Sequence, residues 1–139
     1  MMSDGQMSAK LRVSLLLLRI GVAAVMLPWA IDKMINPDHT ASVFSRFYMV
    51  SDLSVSVSFL IGAVQLLIVL AFLAGIARTW TYGAVLVMHT VSTLSSYSQY
   101  LHPFQGGNLL FFAAWPMLAA CIALYLLRDL DVKFTLKKS

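Results

Sequence analysis

The chain of 139 residues has no glutamate, a single cysteine and few charges of either sign. Charged residues make up 12% of it, against about 25% in an ordinary soluble domain. A soluble chain this short must cover a large surface with polar groups, and these are missing. That shortage excludes a soluble enzyme, a disordered regulator and a nucleic-acid-binding module. The lone Cys121 excludes an intramolecular disulfide and any two-cysteine redox relay. No apolar stretch holds a pair of carboxylates for acid–base work, and there is no CxxC and no glycine-rich phosphate loop.

What the chain does have is hydrocarbon. Hydrophobic residues are 60% of the sequence and the mean hydropathy is +0.81. Four long apolar stretches stand out: about Val13 to Ile31, Leu53 to Ala74, Thr79 to Tyr97 and Asn108 to Leu127. Each is near the roughly 20 residues that a helix needs to cross a bilayer. Backbone groups inside lipid must all be paired, so the spans are expected to be helices. The length fits one domain. The expected architecture is an all-α integral membrane four-helix bundle over residues 1–139, closing in a short basic C-terminal tail, 128–139. The first span is longer than a secretory h-region and no small-x-small cleavage site follows it, so it is expected to be retained.

The connections differ in kind. Residues 32–52 form the longest, and Asn36-Pro37-Asp38 marks a turn in it. Val43, Phe44, Phe47 and Tyr48 then share one face, which suits a short helix lying in the membrane interface. Gly75-Ile76-Ala77-Arg78 is a tight turn, and Ser98–Gly107 is the third connection. Lys10, Arg12, Arg19, Arg78, Arg128, Lys133, Lys137 and Lys138 fall on one side of the spans; Lys33 and Arg46 fall on the other. The excess of cations marks the cytoplasmic side. Both termini are therefore expected inside, in a bacterial cytoplasmic (inner) membrane. A basic tail meeting anionic headgroups accounts for the pI near 9.5 without nucleic acid.

Several short motifs carry a resemblance. They are Leu17-Leu18-Arg19-Ile20-Gly21, Asp32-Lys33-Met34 with Pro37, Gly75-Ile76-Ala77-Arg78, Gly107-Asn108-Leu109-Leu110-Phe111 and Leu126-Leu127-Arg128-Asp129. Over roughly residues 11–130 the chain resembles the DoxX/DoxD-like family of small bacterial membrane proteins. Ala30 stands where members of that family often have glycine. The resemblance implies a four-helix membrane bundle. It also implies an association with thiosulfate:quinone oxidoreductase or with complexes handling thiol or oxidative stress. Lys33 matches the family motif.

Ionisable groups inside a bilayer are costly, so each is a candidate for function. Arg19 lies about six residues into the first span, where it either holds an anion, a quinone carbonyl or a carboxylate partner, or snorkels to the headgroups. His89 sits near the middle of the third span, with Ser92 and Ser96 on its stripe. Its imidazole suits proton exchange with a quinone, and it equally suits a bond to a neighbouring helix. Gln65 lies at similar depth in the second span, on a stripe with Ser58 and Gly62. His89, Gln65 and Arg19 are expected to border one polar pocket. Lys33 and Asn108 mark span ends, and Trp115-Pro116 is expected to bend the fourth span. No catalytic residue and no metal site is assigned: His39 and His102 lack partners at ligand spacing. Quinone is the one cofactor that suggests itself. The expected partners are the lipid bilayer and a homo-oligomer or larger membrane complex. The reading is an auxiliary or quinone-interacting subunit of a membrane redox or sulfur/oxidative-stress system. The alternatives are an oligomeric small-molecule transporter and a scaffold that docks partner proteins.

Overall fold

A computed structural model describes residues 1–136, and every described element is helical. Helix α1 runs Asp4–Ile35, α2 Pro37–Phe47, α3 Val55–Leu73, α4 Arg78–Ser95, α5 Tyr97–Leu101 and α6 Ala114–Leu126. Short 3-10 turns, Asn108–Ala113 and Arg128–Leu130, flank α6. Three helical segments are long and apolar enough to cross a membrane: Asp4–Ile35, Val55–Leu73 and Asn108–Leu126. The chain is a multi-pass membrane protein.

Helix α1 begins nine residues before the expected span. Ser3 accepts from the backbone N–H of Gln6, and the Gln6 side chain accepts from the Ser3 N–H. This reciprocal box satisfies two donors that a helix start otherwise leaves open. Pro28 lies inside α1 and the helix continues through it. Asn36 breaks the helix for one residue, and Pro37 then opens α2 at the position where its missing N–H costs least. A helix therefore stands where the aromatic spacing after Asn36 suggested one.

Helices α1 and α3 pack along each other, as do α4 and α6; α3 touches α4 and α1 touches α6. One buried cluster joins Leu15 and Val22 of α1, Phe72 of α3, Tyr82 and Val85 of α4, and Cys121 and Leu124 of α6. Cys121 is a free, buried thiol acting as small apolar filler. The α1–α3 seam uses the expected small-residue stripe. The Ser58 hydroxyl donates to the carbonyl of Lys33 at 2.7 Å. One turn on, the backbone of α1 fills the space that a side chain at Gly62 would take.

The fourth apolar stretch departs from a simple helix. It starts as a 3-10 turn and becomes α-helical at Ala114. Pro116 sits in the first turn of α6, where a missing donor is tolerated, so the change of helix type precedes the proline. The basic tail also differs from expectation. Residues 128–136 fold back onto the helix ends: the N–H of Leu136 donates to the carbonyl of Ala74 at 2.8 Å. Lys137 and Lys138, counted above with the tail, lie outside the described residues.

At Gly62 an added Cβ would lie 2.8 Å from the Ala30 carbonyl oxygen and 2.7 Å from Met34 Cγ. Backbone cannot swing aside as a side chain does. Gly62→Ala should therefore cost about 1–3 kcal/mol of stability, the range for overpacking. Thermal unfolding in detergent reads the loss, and an unchanged melting temperature would contradict the close α1–α3 approach.

Candidate functional site

The end of the structure near Gly75 holds a sealed polar cluster. Arg19 is 1% exposed, Arg78 2% and Asp131 0%. The Tyr82 hydroxyl donates to Asp131 Oδ2 at 2.5 Å, and Arg78 Nη1 donates to the Asp131 carbonyl at 2.5 Å. Arg19 Nη2 donates to the carbonyls of Lys133 at 2.6 Å and Phe134 at 3.2 Å. Arg19 Nη1 stands 3.1 Å from Asp131 Oδ1. That is an ion-pair distance, yet neither atom makes an aligned hydrogen bond. Charge attraction, not a directed bond, joins them. Among the described residues, Arg19 Nε and Arg78 Nε are also buried without an acceptor. Arg19 thus faces the Asp131 carboxylate while Arg78 reaches the Asp131 backbone carbonyl, and among the described residues Arg19 Nε, Arg19 Nη1 and Arg78 Nε have no aligned acceptor.

Local sequence explains how the cluster is held. Gly75 turns the chain from α3 to α4 with φ of +72°, a conformation that glycine adopts without steric cost. It is also where the tail lies closest: a Cβ at Gly75 would come within 2.7 Å of Thr135 Cβ. Thr81 donates to the carbonyl of Ile76 at 2.9 Å and closes the turn. Phe72 and Tyr82 pack ring to ring at 4.8 Å, fixing the phenol beneath Asp131.

His89 lies elsewhere. Its Nε2 is 2.9 Å from the carbonyl of Ala114, the residue at which the 3-10 turn becomes α6. A carbonyl only accepts, so Nε2 carries the hydrogen. His89 is seven residues beyond Tyr82 on α4, about 10 Å along the axis at 1.5 Å per residue. Arg19 is anchored at the Tyr82 level, so the expected Arg19–His89 pocket is divided between two depths. Arg19 does not snorkel; it is consumed by the tail. Gln65 is half-buried one turn along α3 from Gly62.

The remaining expected residues serve the other end. Ser92 is exposed and accepts weakly from Tyr48, at 3.4 Å, while buried Ser96 donates back to the Ser92 carbonyl at 3.2 Å. Asn108 donates to the carbonyl of His102 at 2.8 Å and closes the third connection. Trp115 and Phe112 flank Tyr100, with ring centres 5.4 and 5.3 Å away. Lys33 donates to the Trp29 carbonyl at 3.3 Å and lies over the Trp29 ring. It borders a small cleft with Trp29, Asp32, Thr40, Val43 and Phe44. Beside it Asp32 Oδ2 and His39 Nδ1 are 2.5 Å apart, and His39 stacks on Trp29.

The sequence reading missed Asp131, Tyr82 and the buried state of Arg78. Asp131 stands in a polar stretch after the last span, where nothing local distinguishes it. Its partner Arg19 is more than a hundred residues earlier. The one usable signal is Gly75-Ile76-Ala77-Arg78, a turn too short to leave its arginine free in solvent.

Apolar helices packed around a shared core, with their polar groups turned inward, define a small multi-pass membrane protein. Residues 11–106 match the family model described as methylamine utilisation protein MauE, and the chain belongs to that family. The motifs resemble DoxX-like proteins, and the family that the match shows is this one. No curated protein and no solved structure matches the chain. The matched stretch contains Arg19, Arg78, Tyr82 and His89; Asp131 falls beyond it.

With its bond to Ala114, His89 joins α4 to α6. Such a bond in a membrane averages about 0.6 kcal/mol. His89→Leu should therefore lower stability only slightly and leave function intact. A loss of function by an order of magnitude with unchanged melting would instead make His89 a ligand residue.

Proposed function

We propose that this chain is an auxiliary, non-catalytic subunit of a membrane system that matures or supports a redox enzyme. The observation that carries the reading is the family match over residues 11–106, a family tied to methylamine utilisation and to methylamine dehydrogenase maturation. The geometry supports it. Arg19 is taken up by the tail and His89 by Ala114. The reading therefore rests on assembly with partner proteins and not on a quinone held by Arg19, Gln65 and His89. The likeness to DoxX-like subunits of redox complexes fits the same reading.

In this proposal α4 is a fourth span, with both termini on the cytoplasmic side of a bacterial inner membrane. Thr and Ser lower its hydropathy, but their hydroxyls are satisfied within the helix. Thr90, Thr93 and Ser95 each donate to the carbonyl four residues earlier, at 2.7, 2.7 and 2.6 Å. A back-bonded hydroxyl leaves no donor open to lipid. The 18 residues of α4 span about 27 Å, close to the hydrocarbon thickness. Lys10, Arg12, Arg19, Arg78, Arg128 and Lys133 gather toward the Gly75 end, which orients that end inward.

Two measurements test the proposal. Deleting the chain should reduce assembled, active methylamine dehydrogenase by about an order of magnitude with transcription unchanged; unaltered activity would contradict the role. Cysteine at Ser42, on exposed α2, should react with an impermeant maleimide in intact cells, while cysteine at Ser8 is protected. The reverse pattern would overturn the orientation.

A further inference from the structure

The cluster at the Gly75 end has more cationic donors than its occupant can use. Asp131 turns its carboxylate to Arg19, with one oxygen misaligned, and offers Arg78 only its backbone carbonyl. Among the described residues, Arg19 Nε and Arg78 Nε are buried without an acceptor, and Arg19 Nη1 has only the misaligned Asp131 oxygen. A guanidinium is a planar fork suited to oxyanions with several oxygens in a plane or tetrahedron. A phosphate-class group offers more oxygens and as much or more charge than a carboxylate, and would meet donors that Asp131 leaves idle.

The segment that carries Asp131 is lightly held. Phe134 is 78% exposed and Leu136 79%. Phe134 has φ of +51°, in the left-handed region that a bulky residue rarely adopts. The attachments beyond Asp131 itself are two Arg19 bonds to backbone carbonyls, the Leu136–Ala74 bond and the contact of Thr135 with Gly75. Three of the anchoring groups, Arg19, Arg78 and Tyr82, sit on the helices. The occupant sits on the segment that can leave.

We propose that Arg19, Arg78 and Tyr82 form an oxyanion receptor in which Asp131 is a resident, displaceable occupant. A phosphate-class anion, from a lipid headgroup or free in solution, takes its place and releases residues 131–136. The tail is then a plug that reports on anion at this end of the helices. That this end meets the anionic cytoplasmic leaflet in cells rests on the orientation proposed above. The receptor itself does not.

Hydrogen exchange at the Leu136 amide reads the plug directly, because that N–H is bonded only while the tail is docked. The full chain is reconstituted in zwitterionic phosphatidylcholine vesicles and in vesicles containing phosphatidylglycerol in both leaflets. A third sample is zwitterionic with millimolar inorganic phosphate, against chloride at matched ionic strength. Exchange should quicken by about an order of magnitude with the anionic lipid, the free phosphate or both, and the arms identify the source. Arg78→Gln, which keeps the Arg19–Asp131 pair, should abolish the response. Equal exchange in all samples would overturn the proposal, as would a response that survives Arg78→Gln. Asp131→Asn gives an independent reading: phosphate should raise its melting temperature more than that of the unsubstituted chain, and an equal or absent shift would also overturn the receptor. Vesicles with the same lipid on both sides do not depend on orientation, so failure here leaves the topology and the auxiliary role untouched.

Discussion

Asp131 has no water to fall back on. It is enclosed by Arg19, Arg78 and Tyr82, and every charge in that group is buried. Taking such charges out of water costs several kcal/mol per ion. The arrangement persists because each charge is held by the others and by backbone carbonyls of the tail. Remove one member and the rest are left buried without compensation. This constraint reaches α1 through Arg19, the α3–α4 turn through Arg78, α4 through Tyr82 and the end of the chain through Asp131.

The rest of the structure obeys the same rule at lower stakes. Several polar groups that enter apolar helices find a carbonyl. Thr90 and Thr93 bond back along α4, His89 reaches α6, and Ser58 reaches the end of α1. Between these points the core is ordinary aliphatic and aromatic packing. Gly62 lets α3 approach α1, and Gly75 lets the tail approach the turn. Gly62 lies near the middle of α3 and Gly75 just beyond its end, and each removes a Cβ where another backbone comes near.

Helix positions were legible because lipid-spanning segments announce themselves by length and hydropathy. The start of α1 was legible too, through Ser3 and Gln6, but hydropathy alone placed it at Val13. The switch from 3-10 to α-helix at Ala114 carried no clear local sign, and Pro116 drew attention two residues too late. Among candidate residues, His89 stood out as a polar group in an apolar span, yet its partner is a backbone carbonyl and carbonyls have no sequence signature. Arg19 was legible as costly, but which carboxylate it faces was not, because Asp131 lies at the far end of the chain. Family membership followed the same pattern. The short motifs pointed to a small multi-pass membrane protein but not to the family that the match shows, since apolar spans constrain composition far more than identity.

A double-mutant cycle between Arg19 and Asp131 tests the central interaction most directly. Arg19→Met and Asp131→Leu each leave buried charge behind, and each should cost about 3–5 kcal/mol. Together they replace the pair with apolar groups of similar size. The double variant should then recover much of the loss, with a coupling above about 1 kcal/mol. Strictly additive losses, measured by unfolding in the same detergent, would show that the two residues do not depend on each other and would contradict the account.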